Sequence, residues 1–266
     1  MLRVMFFRMS TLTLAILLVA IVGGAAAVGT VIGRRIRARP GVHHESVGVV
    51  QATLLGLVGL LLAFGLTMAV GRYDTRRAIV VQESNDIGTT FLRAQMLAEP
   101  TRTDSLDLLK RYGDVAVDLA DQVPDNDRFT DDMTQMADLQ RQLWSLAGVA
   151  VSADPDGTAP RLYVETLNAM IDSHNDRVTS LRNRVPSTVL ILQVVGSAIA
   201  ICALSLYLAL LGRGVITSLV ATTVVILILF ISFDLDRPHR GLITVPDSAL
   251  VAARKAMNDP PAASGP

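Results

Sequence analysis

Residues 47–71 read VGVVQATLLGLVGLLLAFGLTMAVG, a run of 25 residues from Val47 to Gly71 without one charge. At 1.5 Å per residue such a helix is about 37 Å long, enough to cross roughly 30 Å of hydrocarbon with some tilt. No Pro or Gly follows Gly71 before Arg72, Tyr73, Asp74, Arg76 and Arg77. The stretch therefore predicts one long helix whose first half lies in lipid and whose second half lies in water.

Three further stretches have the same character: Thr11 to Gly33, Ser187 to Leu211, and Gly214 to Phe233. None contains Asp, Glu, Lys, Arg or His. The 266-residue chain is 51% hydrophobic and 18% charged, against about 25% charged in soluble domains. The pattern predicts an all-α integral membrane protein with four transmembrane helices and a helical extramembrane extension between the second and third. The lipid bilayer is its first partner. The chain divides into 1–46 (first span and basic loop), 47–71 (second span), 72–186 (polar helical domain), 187–233 (third and fourth spans) and 234–266 (juxtamembrane motif and disordered tail).

The first span follows Arg3 and Arg8 and contains Ala25-Ala26-Ala27, an arrangement shared with secretory signals. Its 23 uncharged residues exceed the 7–15 of a signal core and favour a retained anchor. Gly29 and Gly33 form a GxxxG pair suited to close helix approach. Residues 34–46 are expected as a short interfacial loop carrying Arg34, Arg35, Arg37, Arg39 and the pair His43-His44.

Region 72–186 holds 19 acidic and 13 basic residues. Apolar residues recur there at helical rather than strand spacing. The second helix is expected to continue to residue 98, with Val80, Ile87, Phe91 and Met96 inward, and to end before Pro100. Further helices are expected near 103–122, near 129–147 with Met133, Met136, Leu139, Leu143 and Trp144 inward, and over 161–185. Residues 148–160 are expected as loop, and the extension as too narrow for a large core of its own.

Four crossings put both termini and the extension on one side. Nine membrane-proximal arginines lie there (Arg3, Arg8, Arg72, Arg76, Arg77, Arg182, Arg184, Arg237, Arg240), against five on the other side (Arg34, Arg35, Arg37, Arg39, Arg213). The positive-inside rule then makes the extension and both termini cytoplasmic.

Ionisable groups within a bilayer mark coupled transport, and the spans have none. A passive pore remains open, because a pore can gate at a hydrophobic constriction and select by charge at its mouths. Leu62, Phe64, Leu66 and Val70 are the constriction candidates, although core or lipid contact is the ordinary use of such residues. Arg72, Asp74, Arg76, Arg77, Glu83, Asp234, Asp236 and Arg237 are candidates for a mouth or an interface. Asp74 and Arg77, three apart, are expected to pair. Asp234 and Asp236 offer oxygens to a hard cation such as calcium, with ion-paired belts as the ordinary alternative. His174, beside Asp172, Asn175 and Asp176, is expected on a solvated face. The lone Cys202 permits no intrachain disulfide. No zinc spacing, Walker loop or dinucleotide fingerprint occurs, and no basic face suggests nucleic acid. No cofactor and no catalytic group is expected, so the chain is read as not an enzyme.

Leu61-Leu62-Ala63-Phe64 followed by Arg72-Tyr73-Asp74 and Arg76-Arg77 resembles the bestrophin-like family of membrane proteins. Glu83-Ser84-Asn85, Trp144, Asn175 near Arg177, and Phe233-Asp234-Leu235-Asp236-Arg237-Pro238 are similar to its pattern, over about residues 10–245. That family is distantly similar to bestrophins, pentameric anion channels whose second membrane helix lines the pore with a hydrophobic neck. The resemblance implies a homo-oligomer passing an inorganic ion, with Leu62, Phe64, Leu66 and Val70 at the neck and Arg72 and Asp74 beyond it. Aromatic residues make up only 5% of this chain, fewer than a bestrophin usually carries here, and a calcium-clasp acidic run is not cleanly present. The alternative is a scaffold or sensor that binds a partner through its cytoplasmic helices and transports nothing.

Overall fold

A computed structural model describes residues 10–37, 44–120, 122, 127–212, 214–237 and 241–259. The described residues are helical and fall into two compact units, one of residues 1–73 and 184–244, the other of 74–183 and 245–266. Expectations on Arg3, Arg8, Arg39, His43, Pro124, Asp125, Arg213, Pro238, His239, Arg240 and the final Pro-rich residues lie outside the described residues.

The membrane unit contains α1 (Thr11–Arg37), the first part of α2 (His44–Ala94), α6 (Ser187–Leu210) and α7 (Val215–Leu235). All four are long and apolar enough to span a bilayer, so the chain is a multi-pass membrane protein with its helical extension on the cytoplasmic side. In α1, Ser10 Oγ accepts from Thr13 N at 3.1 Å and caps the helix, and Val19–Gly23 forms one wide π turn. Helix α1 runs four residues past the expected span. Arg34, Arg35 and Arg37 are therefore in its last turn, a correction to the loop expected from residue 34. Positive charge suits a helix C-terminus.

Small and hydroxylated residues set the packing of this unit. Gly29 and Gly33 are buried, and a Cβ on either would meet backbone carbonyls of Cys202 or Leu206 in α6. The GxxxG pair is thus used within the chain, between its first and third spans. Gln193 Nε2 of α6 donates to Leu61 O of α2 at 3.3 Å, and Gly65 leaves the space its amide fills. Ser205 of α6 and Ser218 of α7 share a hydrogen bond of 2.7 Å. Gly212 (φ 69°) and Gly214 (φ 94°) take the left-handed conformation in the reversal between α6 and α7, a region only glycine enters cheaply. Leu14, Leu18, Val22, Leu62, Ile201, Leu229 and Phe233 form the apolar interior.

The extension unit contains the rest of α2 with α3 (Thr101–Ala120), α4 (Asp127–Ala153), α5 (Thr158–Arg182) and α8 (Ser248–Asn258). Four expectations are corrected here. Helix α4 runs through residues 148–153, because Ala147 and Ala150 continue its buried stripe, and only Asp154–Gly157 remains as a turn before α5. Residues 248–258 are a helix and not a disordered tail: Leu250 and Met257 are buried, Met257 fills the space above Gly113 of α3, and Ser84 Oγ donates to Ala249 O at 2.7 Å. The extension does hold a core, built on Ile87, Leu109, Tyr112, Met136, Leu143, Tyr163, Leu167 and Met170. Met96, expected inward, lies beyond the end of α2 and is exposed, as is Trp144.

Candidate functional site

Helix α2 carries most of the candidate residues, and its faces differ sharply. Val58, Leu62, Gly65 and Ala69, spaced by three or four, are buried in the membrane unit. Leu57, Leu60, Phe64 and Met68 form the opposite stripe and face outward, with Phe64 62% exposed. At 100° per residue Leu62 and Phe64 cannot share a side. Of the four constriction candidates, Leu62 is 3% exposed, Leu66 is half-buried, and Phe64 and Val70 are exposed. The threonines on the outward side spend their hydroxyls on their own helix: Thr53 donates to Val49 O at 3.0 Å and Thr67 to Ala63 O at 2.9 Å. The outward stripe thus presents hydrocarbon.

The basic cluster after the span also divides. Arg72 is half-buried, while Asp74 and Arg77 are exposed, and among the described residues no ion pair joins those two. This corrects the expected pairing: both side chains reach water, where an ion pair gains little. Arg76 is buried. Its Nη2 donates to Asn183 O at 2.9 Å and its Nε to Ser180 O at 3.4 Å. A guanidinium there satisfies carbonyls at the end of α5 and meets the negative end of its dipole.

Glu83, expected at a mouth or interface, is fully buried in the extension core. His174 Nδ1 lies 3.0 Å from its Oε1, and Arg177 Nε lies 3.0 Å from its Oε2. The first contact is a hydrogen bond. In the second, the N–H is not aimed at the oxygen, which makes it a charge contact. Arg177 instead directs Nη1 to Ala116 O at 3.1 Å. The Tyr112 ring stands edge-on to His174 at 6.2 Å. Burial first, then the nearby Glu83 charge, raise the Tyr112 phenol far above its ordinary range. Burial also raises Tyr163, offset in part by the Ser105 hydroxyl. His174 is therefore not on a solvated face. Tyr163, Leu167, Met170, His174 and Arg177 continue one buried stripe of α5, and Val80, Glu83, Ile87 and Ala94 continue one of α2. Those spacings were the signal in the sequence that these charges are interior.

The FDLDR segment is likewise buried. Asp234 accepts from Leu242 N at 3.0 Å and Ile243 N at 2.9 Å, and both oxygens of Asp236 accept from Val185 N at 3.1 and 3.2 Å. Both aspartates and Arg237 are buried. Helix α7 reaches Leu235, so Asp234 falls in its last turn and Asp236 at its cap. The two carboxylates fasten chain segments beside the end of a span, each accepting from backbone N–H groups. Among the described residues no group of three His, Cys, Asp or Glu side chains is arranged to hold a metal ion.

The family model described as the Bestrophin-like domain matches residues 15–250, nearly the whole chain. No curated protein and no solved structure matches.

Proposed function

The chain belongs to the bestrophin-like family, and from that premise we propose that it assembles as a homo-oligomer around a passive ion pathway, selective for anions, lined by α2. The observation that carries the reading is the outward stripe of Leu57, Leu60, Phe64 and Met68 on a span with no ionisable side chain. A ring of such stripes closes a pore by dewetting, which needs no titratable gate. Phe64 is the constriction residue best disposed for this; Val70, though exposed, is turned about 120° from it around the helix. Leu62 acts by holding the helix in place. The exposed Arg77 supplies positive potential beyond the constriction, which concentrates anions.

Purified protein in a planar bilayer tests this. A stepwise conductance that rises in Phe64→Ala and is unchanged per channel in Leu62→Val supports the pathway. Silent bilayers from a particle that is monomeric in detergent sink it. They favour instead a scaffold or sensor, a reading that draws on the exposed Trp144 and Val149 of α4 as a partner surface. Orientation is checked separately. A cysteine at Asp156, in a chain with Cys202 replaced by Ala, reacts with an impermeant maleimide only after the cells are permeabilised.

A further inference from the structure

The arginines at the end of α1 have no role in the proposed pathway and run against the charge rule for orientation. The non-cytoplasmic connections carry Arg34, Arg35, Arg37, Arg39 and Arg213 against one acid, Glu45. Arginine on that side weakens the orientation signal, so another use for the charge has to be sought. Thr30, Arg34 and Arg37 recur at helical spacing and line one wall of a cavity of about 150 Å³. Ser205 from the end of α6 and Gly214, Val215 and Ser218 from the start of α7 line the facing wall. The α7 N-terminus opens onto this space, and its first N–H groups have no intrahelical acceptor. Ser205 and Ser218 bond to each other, so one hydroxyl keeps a hydrogen to offer. Among the described residues no carboxylate is paired with Arg34 or Arg37.

We propose that this cavity binds a tetrahedral oxyanion of the phosphate class, held by the Arg34 and Arg37 guanidiniums, the α7 N-terminus and the Ser205–Ser218 hydroxyls. Planar guanidinium forks match phosphate oxygens, and a helix N-terminus favours an anion. The volume admits one such group with part of its hydration. The group comes either from inorganic phosphate or from the headgroup of an anionic phospholipid in the non-cytoplasmic leaflet.

The test uses the full chain in neutral detergent and reads its thermal unfolding midpoint. One arm adds inorganic phosphate against chloride at equal ionic strength. The other adds phosphatidylglycerol against phosphatidylcholine. A saturating ligand raises the midpoint by roughly 5 °C. A rise with both phosphate and phosphatidylglycerol identifies a free-oxyanion site; a rise with phosphatidylglycerol alone identifies a headgroup site. Arg34→Gln with Arg37→Gln abolishes the rise, while Arg35→Gln, whose side chain does not line the cavity, retains it. No rise in either arm overturns the proposal, and so does an equal loss in Arg35→Gln, which would make the effect one of diffuse charge. Native mass spectrometry of the wild-type protein from phosphatidylglycerol nanodiscs reads the same question without a variant: a retained phosphatidylglycerol adduct supports the headgroup site. Absence of both that adduct and the phosphate response overturns the proposal.

Discussion

The two units bury polar groups in different surroundings. In the membrane unit the interior acids, Asp234 and Asp236, accept hydrogen bonds from backbone N–H groups, and the spans meet through glycine, serine and glutamine. In the extension the interior acid, Glu83, faces a histidine and an arginine inside an aliphatic and aromatic core. The reason lies in the solvent. Lipid offers no gain from hiding hydrocarbon, so close contact and hydrogen bonds hold the spans together. Water does offer that gain, roughly 25 cal/mol per Å² of apolar surface, and the extension can carry a costly buried charge network within a core that supplies it.

The contrast can be broken in the extension first. Removing Glu83 leaves Arg177 buried beside no carboxylate, and Glu83→Ala should cost about 3–5 kcal/mol. Trp144 is the only tryptophan and lies in the extension, so its fluorescence during denaturation reports that unit. An unchanged midpoint would show that the network contributes nothing. In the membrane unit the matching change is Gly29→Leu, which drives a side chain into the Cys202 carbonyl. Overpacking of this kind costs about 1–3 kcal/mol, and alkylation of Cys202, the sole cysteine, should speed up as α1 and α6 separate. A thiol no more reactive than in the wild type would mean the close approach is dispensable.

Asp234→Ala strands the N–H groups of Leu242 and Ile243, at about 1–3 kcal/mol if both stay buried. Faster proteolysis at residues 241–244 is the expected readout, and wild-type cleavage kinetics would contradict the fastening role. The mildest effect is alkaline. Tyr112 and Tyr163 have raised phenol pKa values in the folded chain, while in the unfolded chain they titrate near 10.0. Their contribution is therefore complete below pH 10 and declines as pH rises above it, by about 1.4 kcal/mol per pH unit for each tyrosine until it ionises in the folded state. A Trp144 midpoint that holds steady between pH 9 and 11 would remove both tyrosines from the account.

Much of this was legible in residue order. The four uncharged runs identify the spans, and the unbroken passage from Val70 to Val80 identifies α2 as one helix. What misled was residue type taken without phase. Glu83, His174, Asp234 and Asp236 read as surface groups because they are ionisable, yet His174 and Glu83 sit in step with Leu167 and Ile87. Helix α8 escaped notice because eleven residues carry too short a pattern to stand out, and only its packing against α3 makes it a helix. Partners distant in sequence, such as Asp236 and Val185, leave no local trace.

The GxxxG surface of α1 is already occupied by α6, and this limits how copies of the chain can meet. Tight backbone-to-backbone association between protomers cannot use it. What α2 leaves outward mixes the bulky Leu57, Leu60 and Phe64 with Gly56 and Gly59, where an added Cβ would meet only open space. A helix laid on the large side chains would stay about 8–10 Å away, whereas one laid on the two glycines could come nearer.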